Sequence, residues 1–112
     1  MRQEHWEIQK YITESGRCLF DDWFSALDNQ AQARVDVRLD RLSLGNFGDH
    51  KPVGEGLYEL RFFFGPGYHV YYAIAGNKVV LLLTGGAKKS QQKDIKTARN
   101  LWNHYKTEQE EN

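Results

Sequence analysis

The stretch from Gly54 to Gln91 reads GEGLYELRFFFGPGYHVYYAIAGNKVVLLLTGGAKKSQ. It contains three apolar runs that are separated by two turns with glycine. The runs are short and rich in Val, Phe, Tyr and Leu, a composition typical of β-strands. The stretch therefore predicts a three-stranded meander.

The first turn, Gly65–Gly67, combines a proline of fixed φ with glycines that accept positive φ, as a tight reversal requires. Side chains that alternate along the flanking strands form the apolar face: Leu60, Phe62 and Phe64, then Val70, Tyr72 and Ile74. If both sets face the core, Phe62 lies opposite Val70 across a three-residue loop. The third run, Val79 to Thr84, is apolar almost throughout, which predicts a strand in the middle of the sheet, covered on both faces.

The same register gathers polar side chains on the other face of the sheet. Arg61 is expected opposite Tyr71, and His69 lies two residues along on that face. Glu59 is the only carboxylate among these outward candidates. After the third strand, the segment from Gly85 to Lys89 reads as a flexible, doubly basic connection.

The remaining elements follow from apolar spacing. A strand is expected over His5–Thr13, with Trp6, Ile8 and Ile12 on one side. Two helices follow, the second capped by Asp28 or Asn29, and a third begins after Ser90. Their apolar positions are Phe20, Trp23, Phe24 and Leu27, then Ala31, Val35, Leu39 and Leu42, then Ile95, Ala98, Leu101 or Trp102, and Tyr105. Residues 49–56 are expected to form a loop.

This order predicts a single α+β domain over residues 1–112, in which a small sheet is backed by helices. A chain of 112 residues with 40% apolar content can form one packed core. No apolar run reaches the length of a membrane span and the N-terminus lacks a signal-peptide pattern, so a cytoplasmic protein is expected. The lone Cys18 has no adjacent histidine and is a poor candidate for a nucleophile.

Charge is distributed unevenly along a chain whose net charge is zero. Residues 1–50 hold six Lys or Arg against nine Asp or Glu, residues 51–106 hold nine against three, and the last six residues hold none against three. The meander and the last helix are therefore basic, which suits a surface that faces a polyanion.

Two other charged patterns have both a functional and an ordinary interpretation. Asp21 and Asp22 could form a paired-carboxylate site or simply lie near a helix N-terminus, where the dipole favours them. Arg34, Arg38 and Arg41 follow helical spacing and form either a phosphate-tracking ridge or an ordinary solvated face.

The chemistry that these residues suit is phosphodiester transfer within RNA. The sequence has no histidine pair at ligand spacing and no phosphate-cradling glycine motif, so neither a metal nor a nucleotide cofactor is expected. Arginine and lysine supply fixed positive charge for the reacting phosphate, and histidine titrates in the range that acid–base catalysis needs.

Six stretches carry a family resemblance, in this order: SGRCLFDDW, RLDRLSLGNFGD, GEGLYELRF, GPGYHVYY, LLLTGGAKKSQ and DIKTA. From Ile12 onward the sequence resembles the RelE/ParE superfamily of type II toxins, within it the group labelled addiction module killer protein. The resemblance implies a small toxin that is neutralised by an antitoxin, in this group usually a helix-turn-helix DNA-binding protein, so that contact with DNA is only indirect. RelE-like members cleave mRNA on the ribosome, whereas ParE-like members share the fold but poison DNA gyrase.

The resemblance also implies roles for individual residues. Arg61, in ELR, matches the arginine that supports the scissile phosphate in RNA-cleaving relatives, and Lys88, in GGAKKSQ, matches the group's usual lysine. His69 stands where the group more often has arginine, and Lys89 where a small polar residue is more usual; Tyr71 follows from strand parity alone. The candidate catalytic residues are thus Arg61, His69, Tyr71 and Lys88, and the candidate RNA-binding residues are Lys51, Lys89, Arg34 and Arg38.

Each candidate also has a structural interpretation. Arg61 could pair with Glu59, His69 could be a surface strand residue, Tyr71 a packed aromatic, and the two lysines a solvated turn. Three functions remain open: a ribosome-dependent mRNA endonuclease, a non-catalytic gyrase inhibitor, and a non-toxic module that only pairs with an antitoxin. Apolar surface left by Trp6, Trp102 or Tyr105 is the expected docking place for the antitoxin.

Overall fold

The computed structural model describes residues 5–110. Its helices and strands are, in chain order, β1 (Glu7–Lys10), α1 (Leu19–Ser25), α2 (Asn29–Ser43), β2 (His50–Gly54), β3 (Leu57–Phe62), β4 (Tyr68–Ile74), β5 (Val79–Ala87) and α3 (Gln91–Glu110). A short 3-10 turn, Lys88–Ser90, joins β5 to α3. The predicted α+β class is confirmed, with a five-stranded, mostly antiparallel sheet and three helices that are compatible with a small RelE-like fold.

The strands lie in the order β1-β5-β4-β3-β2. β1 pairs with β5 in parallel, and the other neighbours are antiparallel. β5 is an interior strand whose residues 80–86 are all buried, as its apolar run predicts. The exact centre of the sheet, however, is β4.

The sequence predicts a loop over residues 49–56, but the structure has the edge strand β2 there. Its side chains are almost all exposed and it contains Pro52, so it has no apolar alternation to identify it. Pairing with β3 holds it in place. At the other edge, β1 is shorter than predicted, since Ile12 lies beyond it and is 53% exposed.

The register of the β3–β4 hairpin differs from the prediction by two residues. Phe62 pairs with Tyr68 and not with Val70, so the loop has five residues, 63–67. Gly67 N–H donates to the carbonyl of Phe64 at 3.0 Å, so Phe64 belongs to the turn and not to β3. A shift of two residues leaves every side chain on its predicted face.

Helices cover both faces of the sheet. As predicted, α1 and α2 share one core with the apolar side of the strands, which includes Phe20, Val35, Leu42, Phe62 and Tyr72. On the opposite face the sequence predicted polar side chains from β3 and β4, with cover over β5; in the structure α3 packs on this face and forms a second core. That second core includes Tyr71, Leu81, Leu83, Ala98 and Trp102.

Gly85 and Gly86 belong to β5 and do not form the flexible connection that the sequence predicts. They pair with Val70 and His69. A Cβ atom at Gly85 would overlap the ring of Trp23, and one at Gly86 would overlap the Asp94 carboxylate. Close packing on both faces of β5 therefore requires these glycines.

The remaining local predictions concern helix ends and the membrane. Asp28 caps α2, because its Oδ1 accepts from the backbone N–H of Ala31 at 2.8 Å. Ser90 precedes α3, and its hydroxyl donates to Asp94 at 2.6 Å. Within residues 5–110, no helix has the length and apolar character to cross a membrane.

Candidate functional site

A polar pocket of about 470 Å³ opens beside the start of α3. Four candidate side chains line it: Lys51, Arg61, His69 and Lys88. Glu59, Gln91 and the 63–67 loop complete its wall. Its size is within the range of small-ligand sites.

The register of the sheet explains this grouping. One cross-strand row runs from Lys51 through Glu59 to Tyr71, and the next row places Arg61 directly opposite His69. Alternation sends all five side chains to the α3 face of the sheet. The prediction that a cation, a phenol and an imidazole share one face is therefore confirmed, although Arg61 lies opposite His69 and not opposite Tyr71.

Hydrogen bonds hold Arg61 at its guanidinium and at its backbone. Its Nη2 donates to Asp49 Oδ1 at 2.9 Å, and its backbone carbonyl accepts from Arg38 Nη1 at 2.7 Å. Its Nε is buried and has no hydrogen-bond partner among the described residues. The alternative pairing of Arg61 with Glu59 is not found, since Asp49 takes that position.

Glu59 is a fully buried carboxylate at the floor of the pocket. Its Oε2 accepts from the Tyr71 hydroxyl at 3.0 Å and from Gln91 Nε2 at 2.8 Å. Lys51 Nζ lies 4.0 Å from Oε1, which has no hydrogen-bond partner within residues 5–110. One oxygen of a buried acid thus has a distant ion-pair partner but no hydrogen bond beside the pocket.

His69 is 8% exposed, and its ring stacks on that of Tyr71. Burial lowers its pKa below the usual 6.5; the charges of Arg61 and Lys51 act in the same direction, while Glu59 and Asp94 oppose them. The imidazole is therefore neutral at neutral pH. Its Nδ1 is buried and unpaired in the described part of the chain.

Tyr71 is fully buried beneath α3, as a packed sheet aromatic would be. Burial raises its pKa above 10.0, and the adjacent charge of Glu59 raises it further. The hydroxyl therefore stays protonated and donates to Glu59. This position suits a residue that orients Glu59 more than one that contacts a substrate.

The two lysines of the 88–90 turn differ in position. Lys88 lines the pocket, and its backbone N–H donates to the Gly67 carbonyl at 2.8 Å, which joins the hairpin loop to the start of α3. Lys89 is exposed and does not line the pocket.

Arg34 and Arg38 lie on α2, and neither lines the polar pocket. Arg38 is half-buried, and its guanidinium donates to the carbonyls of Arg61 and Asp49. Arg34 lies over the ring of Phe64, with 4.9 Å between Cζ and the ring centroid.

The remaining candidates have ordinary structural positions. Asp21 pairs with Lys10 at 2.7 Å and Asp22 pairs with Arg17 at 2.8 Å, all on the exposed surface. Cys18 is buried, and burial raises the pKa of its thiol. No group of three or more His, Cys, Asp or Glu side chains within residues 5–110 is arranged to hold a metal ion.

Comparison with known proteins identifies the family. The sequence profile described as "Phage derived protein Gp49-like (DUF891)" matches residues 22–103, which include all eight candidate residues. The chain belongs to this Gp49-like family. This is a toxin-like family that is related to addiction modules.

The chain is also similar to a protein from Haemophilus influenzae. It is 48% identical over 83 residues, which are 73% of this chain and 84% of the relative. That relative is described as an "Uncharacterized protein" and adds no information on activity.

Three side chains of this Gp49-like protein were not assigned roles from its sequence. Asp49 contacts Arg61 and Gln91 contacts Glu59, and strand or helix periodicity does not predict either pair. The position of Glu59 could have been predicted, because it lies two residues before Arg61 and alternation places both side chains on the same face of a strand.

Proposed function

We propose that this protein is the toxin of a type II toxin–antitoxin system, belongs to the RelE/ParE superfamily, and cleaves mRNA on the ribosome. The observation that carries the proposal is the pocket in which Arg61, Lys51 and Lys88 surround a buried, neutral His69. The membership of a toxin-like family supports the same conclusion. RNA cleavage by attack of the 2′-hydroxyl uses groups of this kind.

In the proposed reaction, the neutral imidazole of His69 accepts the proton of the 2′-hydroxyl. The 2′-oxygen then attacks phosphorus, and the bond to the 5′-oxygen breaks. Arg61 and Lys51 stabilise the negative charge that develops on the phosphate oxygens. The Lys88 ammonium donates a proton to the departing 5′-oxygen, which is more basic than an amine.

The neighbouring side chains position these groups. Asp49 fixes the guanidinium of Arg61 from one side, and Arg38 fixes its backbone. Tyr71 and Gln91 orient the Glu59 carboxylate, whose charge favours the imidazolium that forms during the reaction. In this scheme Tyr71 is a positioning residue, and the chain needs no cofactor.

The partners are part of the proposal. Messenger RNA on the ribosome is the substrate, and Lys51 and Lys89 are the proposed contacts to its phosphate backbone. A cognate antitoxin, of the helix-turn-helix class, neutralises the toxin and provides any contact with DNA. Arg34 and Arg38 are not proposed as RNA contacts, because they line the α2 side and Arg38 is occupied by carbonyl oxygens.

The test is to induce the chain without an antitoxin in a bacterial host and to map new RNA 5′ ends across translated messages. New 5′-hydroxyl ends in frame with codons are expected. Arg61→Ala should reduce their number by on the order of 10² to 10³-fold, because it removes one preorganised charge at the phosphate. Arg61→Lys should recover only part of the activity, since lysine lacks the planar fork.

The matched control is Arg17→Ala, an exposed arginine that pairs with Asp22 away from the pocket. It should leave the RNA ends unchanged. Growth arrest without new ends would contradict the nuclease and indicate a gyrase-type target. No arrest at all would leave only the antitoxin-pairing function.

A further inference from the structure

A second concave surface, here called the α2 groove, lies between α2 and the end of β3. Its volume is about 400 Å³. Phe62, Phe63 and Phe64 form one wall, and the side chains of Ala33, Arg34, Val37, Arg38 and Arg41 form the other. Its surface is mainly apolar.

Two apolar residues of this groove, Phe63 and Val37, are unusually exposed. Phe63 is 83% exposed and Val37 is 47% exposed, and they are two of the four large apolar side chains that stand out on the surface of residues 5–110. Trp6, Trp102 and Tyr105, the expected docking residues, are instead buried or half-buried in intramolecular packing. Exposed apolar surface of this kind marks an interaction site.

The groove carries positive charge and no negative charge. Arg34 and Arg41 are exposed at its rim, and none of the described aspartates or glutamates lines it. Asp36 and Asp40 lie on other faces of α2, because their positions are out of phase with Arg34, Arg38 and Arg41. The complementary ligand is therefore acidic at its edges and apolar along its centre.

The spacing of the wall indicates the shape of that ligand. Residues 30, 33, 34, 37, 38 and 41 of α2 line the groove, which is the helical repeat sustained over three turns, or about 16 Å. Such a surface receives a second helix whose apolar side chains fit between ridges. We propose that the α2 groove binds an acidic amphipathic helix of a partner protein.

Single-stranded RNA is a weaker match for the same surface. The guanidinium of Arg38 is already committed to three carbonyl oxygens, those of Phe47, Asp49 and Arg61. Only Arg34 and Arg41 remain at the rim, whereas binding of a nucleic-acid backbone depends on many free cations.

The groove is connected to the polar pocket. Phe63 lines both, and Arg38 holds the backbone at Arg61. A helix in the groove therefore lies against the residues that position Arg61. The regulatory consequence, that the partner alters RNA cleavage, rests on the proposed function, whereas the binding itself does not.

The binding test uses a displayed library of amphipathic helices of about five turns, with Glu and Lys equally represented at the flanking positions. Selection on the intact protein should enrich helices that are rich in Glu. The Arg41→Glu variant should bind the best of these helices about tenfold more weakly than the wild type does, or weaker still. Replacing its Glu residues by Lys should restore binding to that variant.

The matched control is Arg17→Glu, which makes the same change of charge on an exposed arginine outside the groove. The proposal is overturned if this variant weakens binding as much as Arg41→Glu, if no helix is enriched, or if the enriched helices show no acidic bias. It is also overturned if oligo(U) competes for the groove, or if Arg41→Glu abolishes self-association of the chain, since the occupant would then be RNA or a second copy. A protein that binds acidic helices but leaves RNA intact would refute only the nuclease.

Discussion

His69 is a buried imidazole beside two cations and two carboxylates. It lies opposite Arg61 on β3 and opposite Gly86 on β5, and the missing side chain of Gly86 leaves room for Asp94. Burial has the largest effect on the ring and lowers its pKa. The same property that makes His69 a base at neutral pH also makes its protonation unfavourable for the fold.

This property predicts how stability depends on pH. The pKa of His69 is lower in the folded chain than the 6.5 of the unfolded chain, so the unfolded state binds more protons as the pH falls below 6.5. Stability should therefore be complete above pH 6.5 and decrease below it. Urea unfolding of the wild type between pH 5 and 8 should show this decrease, and His69→Gln should flatten it.

The control for this prediction is His104→Gln, the same change on the exposed face of α3. It leaves the buried imidazole of His69 in place, so the decrease of stability below pH 6.5 should persist in this variant. An identical slope in the wild type and in His69→Gln would contradict the buried, neutral imidazole.

Only part of the pocket could be predicted residue by residue from the sequence. Strand parity placed Arg61, His69 and Tyr71 on one face, because alternation along a strand is a local property. It did not show which of them would be reached by solvent, since that depends on α3, which begins 20 residues after Tyr71. The partner of Arg61 was unpredictable for the same reason, because Asp49 lies on a different element.

At the scale of elements, Arg38 connects α2 to the sheet. Its guanidinium donates to carbonyls of β3 and of the segment before β2, and it lies over the ring of Phe62, with 4.8 Å between Cζ and the centroid. Burial lowers the pKa of Arg38, although the nearby Asp49 opposes the shift. The contact fixes the backbone of Arg61 relative to the helix.

Arg38→Lys should therefore destabilise the protein by about 1 to 3 kcal/mol, because an ammonium cannot serve the same carbonyls and leaves buried acceptors unpaired. Urea unfolding measures this loss. RNA cleavage by the variant should also decrease if Arg61 is displaced.

Arg34→Lys is the matched control for stability, one turn earlier on the same helix and exposed. Its effect should stay within about 0.5 kcal/mol. Equal losses in the two variants would mean that the carbonyl contacts of Arg38 do not stabilise the α2–β3 contact.

At the scale of the whole molecule, one sheet separates two cores. The tryptophans report on them separately, since Trp6 and Trp23 pack against the α1–α2 core and Trp102 lies in the α3 core. Trp102 also ties α3 to the β2–β3 turn, because its indole N–H donates to the Glu55 carbonyl at 3.0 Å.

Trp102→Ala should lower the free energy of unfolding by about 3 to 5 kcal/mol, the usual cost of removing a buried aromatic side chain. Because both cores share the strands β3 to β5, fluorescence of Trp6 and Trp23 should report the whole loss. Far-UV circular dichroism should give the same midpoint in urea.

Trp102→Phe is the control, since it retains most of the packing and loses the hydrogen bond to Glu55. It should cost less than the alanine variant. A Trp102→Ala protein in which helix content falls first, while the fluorescence midpoint stays at the wild-type value, would contradict a single cooperative unit.

Local pattern by itself determined most of the elements and the face of each strand. The alternation in β3 and β4, the apolar run of β5, the helical spacing in α1 and α2 and the cap at Asp28 all depend on residues a few positions apart. A two-residue error in the register of the hairpin did not move any side chain to the other face, because the strand repeat is itself two residues.

Only the tertiary structure decided the register, the edge strand β2, the conformation of Gly85–Gly86 and the composition of the pocket. Each depends on contacts between residues that are far apart in the chain, such as Arg38 with Arg61 and Gln91 with Glu59. Such contacts leave no periodic signal in the sequence. Glycines in particular look alike whether they supply flexibility or, as beside Trp23 and Asp94, allow a close approach.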